Sequence, residues 1–179
     1  MAVRASGPTR ALALALALTV AVVFGGCAKG EAPYPAAARE LTLGVAAESA
    51  GDLPAAREHY RRALEHDPRS KLAFYDLGLL DQRAGRMKAA ETNYRRALRS
   101  DPYYFLALFN LAIVLTPSDP AGAEAMYRRA IEVAPDNANA HLNLGLLLRA
   151  RGGTAEADGE VAKAKALEQS TTTTSATGG

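Results

Sequence analysis

Tyr60-Arg61-Arg62-Ala63-Leu64 is written again as Tyr94-Arg95-Arg96-Ala97-Leu98, and once more as Tyr127-Arg128-Arg129-Ala130-Ile131. The starts lie 34 and 33 residues apart, and each copy is followed by a proline: Pro68, Pro102 and Pro135. Upstream, Leu43-Gly44, Leu77-Gly78, Leu111-Ala112 and Leu144-Gly145 keep the same phase. So do two columns of alanine, Ala56, Ala90, Ala123, Ala157 and Ala63, Ala97, Ala130, Ala164. A fixed period of this length means one supersecondary unit repeated, because such a unit cannot bury its apolar face alone and must stack on its neighbours.

Each unit reads as two amphipathic helices of about thirteen residues joined by a short turn. Small residues on the first helix, paired with alanine on the second, let the two approach closely. Gly51 and Gly85 fall where a helix can end in the left-handed region. Asp67-Pro68 and Asp101-Pro102 close the second helix, since a residue before proline resists the helical region. The spacing predicts helices over 36–50, 53–66, 70–84, 87–100, 103–115, 120–133, 137–151 and 154–168, an all-α chain without strands. Thr116-Pro117-Ser118-Asp119-Pro120 replaces the glycine turn in the third unit and absorbs its one-residue shift. The last helix carries Gly159 in its middle, at about 1 kcal/mol against alanine, and reads as a polar cap.

With these motifs in phase, the chain resembles the tetratricopeptide repeat (TPR) proteins. Phe74, Leu77, Gly78, Ala90, Tyr94, Ala97 and Pro102 match the family's pattern, with Asp81 in place of its second large residue. The resemblance covers residues 36–169, as repeats 36–68, 69–102, 103–135 and 136–169, and implies an α-solenoid wound as a right-handed superhelix. It also implies a concave groove, lined by the first helices, that holds a peptide or a partner helix. Carried over position by position, the groove residues are Leu72, Tyr75, Asp76 and Leu79, then Leu106, Phe109, Asn110 and Ile113, then Leu142, Asn143 and Leu146. Leu41 and Val45 extend the row into the first repeat, with Glu48 at its edge and Arg149 at the far edge. Some TPR superhelices hold a peptide main chain with an asparagine ladder. Asn110 and Asn143 match that ladder, while Asp76 and Thr42 depart from it. An amide both donates and accepts, so it can read main chain whatever the side chains are. The repeated Arg-Arg pairs fall on the second helices. Glu58, Glu65, Glu91, Glu124 and Glu132 lie at helical pairing distance from them, which predicts a solvated, self-neutralised stripe.

The N-terminus reads as an address. Arg4 and Arg10 precede the uncharged run Ala11–Phe24, whose roughly 21 Å as a helix falls short of a hydrocarbon core. Residues 1–26 therefore read as a secretory signal peptide. Phe24-Gly25-Gly26-Cys27 resembles the lipobox of bacterial lipoproteins, which implies that Cys27 carries the lipid and begins the mature chain. Residues 27–35 are expected to be a lipidated tether, and residues 170–179, mostly Thr, Ser and Gly, a disordered tail.

The 179 residues carry 21 basic and 19 acidic side chains, no tryptophan and one cysteine. Loss of residues 1–26 would leave 19 of each sign, so non-specific nucleic-acid binding has no electrostatic basis. One cysteine and the scattered His59, His66 and His141 offer no disulfide framework and no metal knot. No catalytic constellation and no phosphate loop are readable, so the expectation is a non-enzyme without a cofactor. The expected function is a membrane-tethered adaptor or assembly factor that binds a partner of the cell envelope. It would face the periplasm from the outer membrane in a Gram-negative cell. Small TPR lipoproteins such as the pilotins of type IV pilus secretins are similar in architecture. Two other readings remain open: a lipid-anchored scaffold that self-associates through the groove, and an accessory subunit of an envelope enzyme.

Overall fold

The computed structural model describes residues 35–176. The expected signal peptide 1–26, Cys27 and the tether up to residue 34 lie outside the described residues. Eight α-helices follow in order: α1 Pro35–Ser49, α2 Leu53–His66, α3 Lys71–Arg83, α4 Met87–Ser100, α5 Phe105–Leu115, α6 Pro120–Val133, α7 Ala138–Ala150 and α8 Thr154–Ala176. No strand occurs among the described residues. Each helix packs on the next, most extensively within the pairs α1–α2, α3–α4, α5–α6 and α7–α8, and α3 also touches α5. That nearest-neighbour pattern is a solenoid of four helical hairpins.

Local chemistry sets the boundaries. Gly51, Gly85 and Gly152 turn the chain with φ of 80°, 71° and 88°, where a side chain would be strained. The Asp52 carboxylate accepts the Ala55 N–H at 3.0 Å, and Asp119 accepts that of Gly122 at 2.9 Å, each beside a proline in the first turn. Ser70 and Asn137 cap α3 and α7 in the same way. The tail differs from expectation. α8 continues to Ala176, so residues 170–176 are helical, and only 177–179 lie outside the described residues. Extending an existing helix needs no new nucleus, so threonines of modest propensity can follow it.

In the first two repeats the core sets a tyrosine of the second helix against a glycine of the first. Tyr60, Tyr94 and Tyr127 are buried on the second helices. A Cβ added at Gly44 would lie 2.4 Å from the Tyr60 ring, and one at Gly78 would lie 2.5 Å from that of Tyr94. The hydroxyls point back to the first helix. Tyr60 donates to Glu48 at 2.9 Å and Tyr94 to Gln82 at 2.7 Å, while the Tyr127 hydroxyl lies near Thr116 and Asn143. Glu48, Gln82 and Thr116 fill equivalent positions in the three repeats. A buried phenol needs a partner at its polar end, and the first two repeats each supply one from the first helix.

Asp81 belongs to the core rather than to a packing gap. It is 2% exposed, and its carboxylate accepts from Arg57 on α2 at 2.7 Å, Arg86 at 2.9 Å and Asn93 on α4 at 2.8 Å. It thereby ties the first repeat to the second. The outer repeats carry a related device with its residues exchanged. His59 on α2 bonds Glu40 on α1 at 2.8 Å, whereas His141 on α7 bonds Glu160 on α8 at 2.5 Å. The Glu40 carboxyl is held below its usual range by that hydrogen bond. His141 is buried, and its Nε2 reaches the Pro135 carbonyl at 3.0 Å, so it is a bonded core residue.

Candidate functional site: the face of the first helices

Periodicity puts residues three and four apart on one side of a helix. The structure divides the candidate row into two layers. Leu72 at 45%, Leu106 at 41% and Leu146 at 49% exposure form the open layer, one each on α3, α5 and α7. Val45 on α1 is exposed as well. Tyr75, Leu79, Phe109 and Ile113 are half-buried and pack against the core that joins repeats two to four. Leu142, Asn143, Asp76 and Asn110 are also half-buried.

Aromatic contacts explain the inner layer. The Tyr75 ring lies 5.9 Å from that of Tyr94 and meets Tyr104 edge-on at 5.4 Å. Phe109 stacks on Phe105 at 5.8 Å and meets Tyr127 edge-on at 6.0 Å. Such pairs stabilise by about 0.5–1.5 kcal/mol beyond area burial. Tyr75 therefore links repeat two to Tyr104 of repeat three, and Phe109 braces α5 against α6 within repeat three, while both line the row.

The polar column is partly engaged within the chain. Asn110 donates its amide to the Leu106 carbonyl at 2.9 Å and reaches the Tyr75 hydroxyl at 3.4 Å. Asn143 lies near the Tyr127 hydroxyl. Thr42 bonds back to the Ala38 carbonyl at 3.0 Å. Asp76 is set apart: burial pushes its carboxyl up to about 7, and the nearby charge of Glu48 adds to the effect. Burial, with a contribution from Tyr75 and Asp76, raises the Tyr104 hydroxyl to about 12.

On the second helices, the first expectation holds for Arg62, Arg95 and Arg128, which pair with Glu58, Glu91 and Glu124. Arg128 also reaches Glu156 at 2.8 Å. Arg96 instead lies over the Phe74 ring at 5.8 Å, and Arg129 donates to the Pro102 carbonyl at 2.8 Å. His66 is exposed at the end of α2. No group of three or more potential metal ligands occurs among the described residues, and no described helix is long and apolar enough to cross a membrane.

Sequence reasoning missed the tyrosine partners and the Asp81 junction. The first left a signal, since Glu48, Gln82 and Thr116 are all polar and spaced by 34. The second left only an acid in a position usually held by a large residue.

Comparison with known proteins agrees with this geometry. The family model described as the Cilia and flagella-associated protein 70 middle TPR-like domain matches residues 41–173, and a tetratricopeptide repeat model matches residues 2–71. No curated protein matches the chain. A crystal structure of MamA is similar at 24% identity and a TM-score of 0.71, covering 78% of this chain and 82% of that one. A second MamA structure is 25% identical over 74% of this chain and 73% of that one, with a TM-score of 0.67. A tetratricopeptide repeat protein from Parabacteroides merdae is 21% identical, over 72% of this chain and 52% of that one, with a TM-score of 0.66. The stacked hairpins, the glycine–tyrosine contacts and a family match over most of the length lead to one assignment: the chain belongs to the TPR-like family described as the Cilia and flagella-associated protein 70 middle domain, and is a tetratricopeptide repeat protein.

Proposed function

We propose that this protein is a membrane-tethered adaptor, held by lipid on Cys27, that binds a protein partner along its first helices. The fold is a protein-interaction scaffold. The observation that carries the finer reading is the open layer of Leu72, Leu106 and Leu146 on α3, α5 and α7. Leu72 and Leu106 hold one position in repeats two and three, and Leu146 holds the position of Leu79 and Ile113, two helical turns further along the same face. Exposed leucines on one face of successive first helices form an apolar stripe, and such stripes mark interaction sites. The half-buried asparagines beside them retain acceptor oxygens for a ligand main chain. The protein acts by positioning its partner and catalyses no reaction itself. In a Gram-negative cell it works at the periplasmic side of the outer membrane, as a pilotin-like assembly factor for an envelope component.

Two measurements test this reading. Intact mass of the mature protein should show a lipidated N-terminal Cys27; a free thiol there, or another N-terminus, ends the tether. For the groove, Leu106→Ser should weaken partner binding by about 2 kcal/mol or more while the melting temperature stays near wild type. Phe109→Ala should lower both, because its ring also packs on Tyr127 of α6. An affinity that is unchanged in the folded fraction of both variants removes the groove as the binding site.

A further inference from the structure

Resting on the groove reading, the charge on this face narrows the chemistry of the partner. Glu48 is satisfied within the chain by the Tyr60 hydroxyl and by Arg83. Lys71 is committed to Asp101 at 2.5 Å. Asp76 has neither a cation nor a hydrogen-bond donor against its carboxylate among the described residues. It lies one helical turn from Leu72 on one side and Leu79 on the other, on the face of α3 that carries the stripe. Its charge reaches the hydroxyls of Tyr60, Tyr75, Tyr94 and Tyr104 and raises each of them. A half-desolvated carboxylate without a partner is unfavourable.

We infer that the groove's partner is an apolar segment bearing a lysine or arginine, whose cation docks on Asp76 while its apolar neighbours cover Leu72 and Leu106. An anionic segment meets the opposite condition here, because Glu48 adds to the negative field. Docking a cation displaces any proton held on Asp76, which titrates near 7. Binding of the cationic segment therefore strengthens as pH rises from about 6 to 8.

The test uses phage-displayed random 12-residue peptides selected on the full chain, followed by anisotropy titration of the strongest synthetic peptide. The expected consensus contains one lysine or arginine flanked by apolar residues. Replacing that residue by norleucine, which keeps the stem and removes the charge, should weaken binding by about tenfold or more. Asp76→Asn should weaken the cationic peptide equally and leave it indifferent to the norleucine change. A selection without a cationic consensus, an empty one included, overturns the inference. So does an equal norleucine penalty in wild type and Asp76→Asn, with circular dichroism showing both folded. Leu106→Ser separates the two levels. If it abolishes binding while Asp76→Asn does not, the cation reading fails and the groove stands. If it leaves binding intact, the groove reading fails and the cation reading with it.

Discussion

Leu43 and Leu77 hold the same place in the repeat and differ in fate. Leu77 is buried, and Leu43 is 42% exposed, because among the described residues no helix precedes α1 to cover it. Leu77→Ala should therefore cost about 2–5 kcal/mol, and Leu43→Ala about 0.5 kcal/mol or less; chemical denaturation of both variants checks the contrast. Equal costs would mean that something covers the first repeat. Asp76 makes a second prediction at this scale. Its folded-state carboxyl titrates near 7, above the unfolded value of 3.8, so the folded chain holds more protons between those values. Stability from this residue is thus highest below about pH 4 and is lost as pH rises through 7. Asp76→Asn should match wild type near pH 4 and exceed it at pH 8 by about 1–2 kcal/mol, a figure reduced for the part of the carboxylate that water screens. A urea midpoint difference that does not grow with pH would count against it. The identity of such residues was visible in the sequence and their surroundings were not: Leu43 matched its column perfectly, and only the missing neighbour decided its exposure.

At the level of the helix, the sequence was read well wherever a local rule governs. Proline, glycine and capping side chains act within four residues, so helix ends fell within about two residues of expectation for α1 to α7. The Asp81 junction was opaque because its donors come from positions 24 residues before and 12 after, and no local pattern announces them. The groove list was half legible for a similar reason. Helical spacing put Phe109 and Leu106 on one face, but only the Tyr127 ring on the paired helix α6 explains why Phe109 turns inward. α8 offers a direct test. A Cβ at Gly159 would meet nothing within 4 Å, so Gly159→Ala should stabilise by about 0.5–1 kcal/mol through helix propensity alone. Thermal melts would show this as a higher midpoint; a lower one would mean that α8 depends on the absence of a side chain at this position. Gly78→Ala, where the Tyr94 ring stands in the way, should instead destabilise by about 1–3 kcal/mol.

The molecule as a whole is a chain of seams rather than one core, since each hairpin leans on the next. The seams differ in how deeply their ion pairs are buried. Between the first two repeats the buried Asp81 carboxylate, with Arg57 reaching across, joins the apolar contacts of Leu77 and Leu80 with Ala56 and Tyr60, while the later repeats share leucine, tyrosine and alanine, with exposed ion pairs such as Arg128–Glu156 at their rim. Apolar contacts yield gradually as surfaces slide, whereas a hydrogen-bonded ion pair holds until its geometry breaks and then gives way at once. Drawn out by its two ends, the solenoid should behave as a spring with one brittle link. In optical-tweezer traces the first two repeats should part in an abrupt rip, and Asp81→Ala should turn that rip into a lower, broader yield while the remaining steps keep their force. A wild-type trace without a distinct early or late rip of about two repeats' contour length would show that Asp81 gives the seam no such stiffness. An adaptor pulled between an anchor and its cargo would then have its load limit set by a single aspartate at the seam nearest the anchored end.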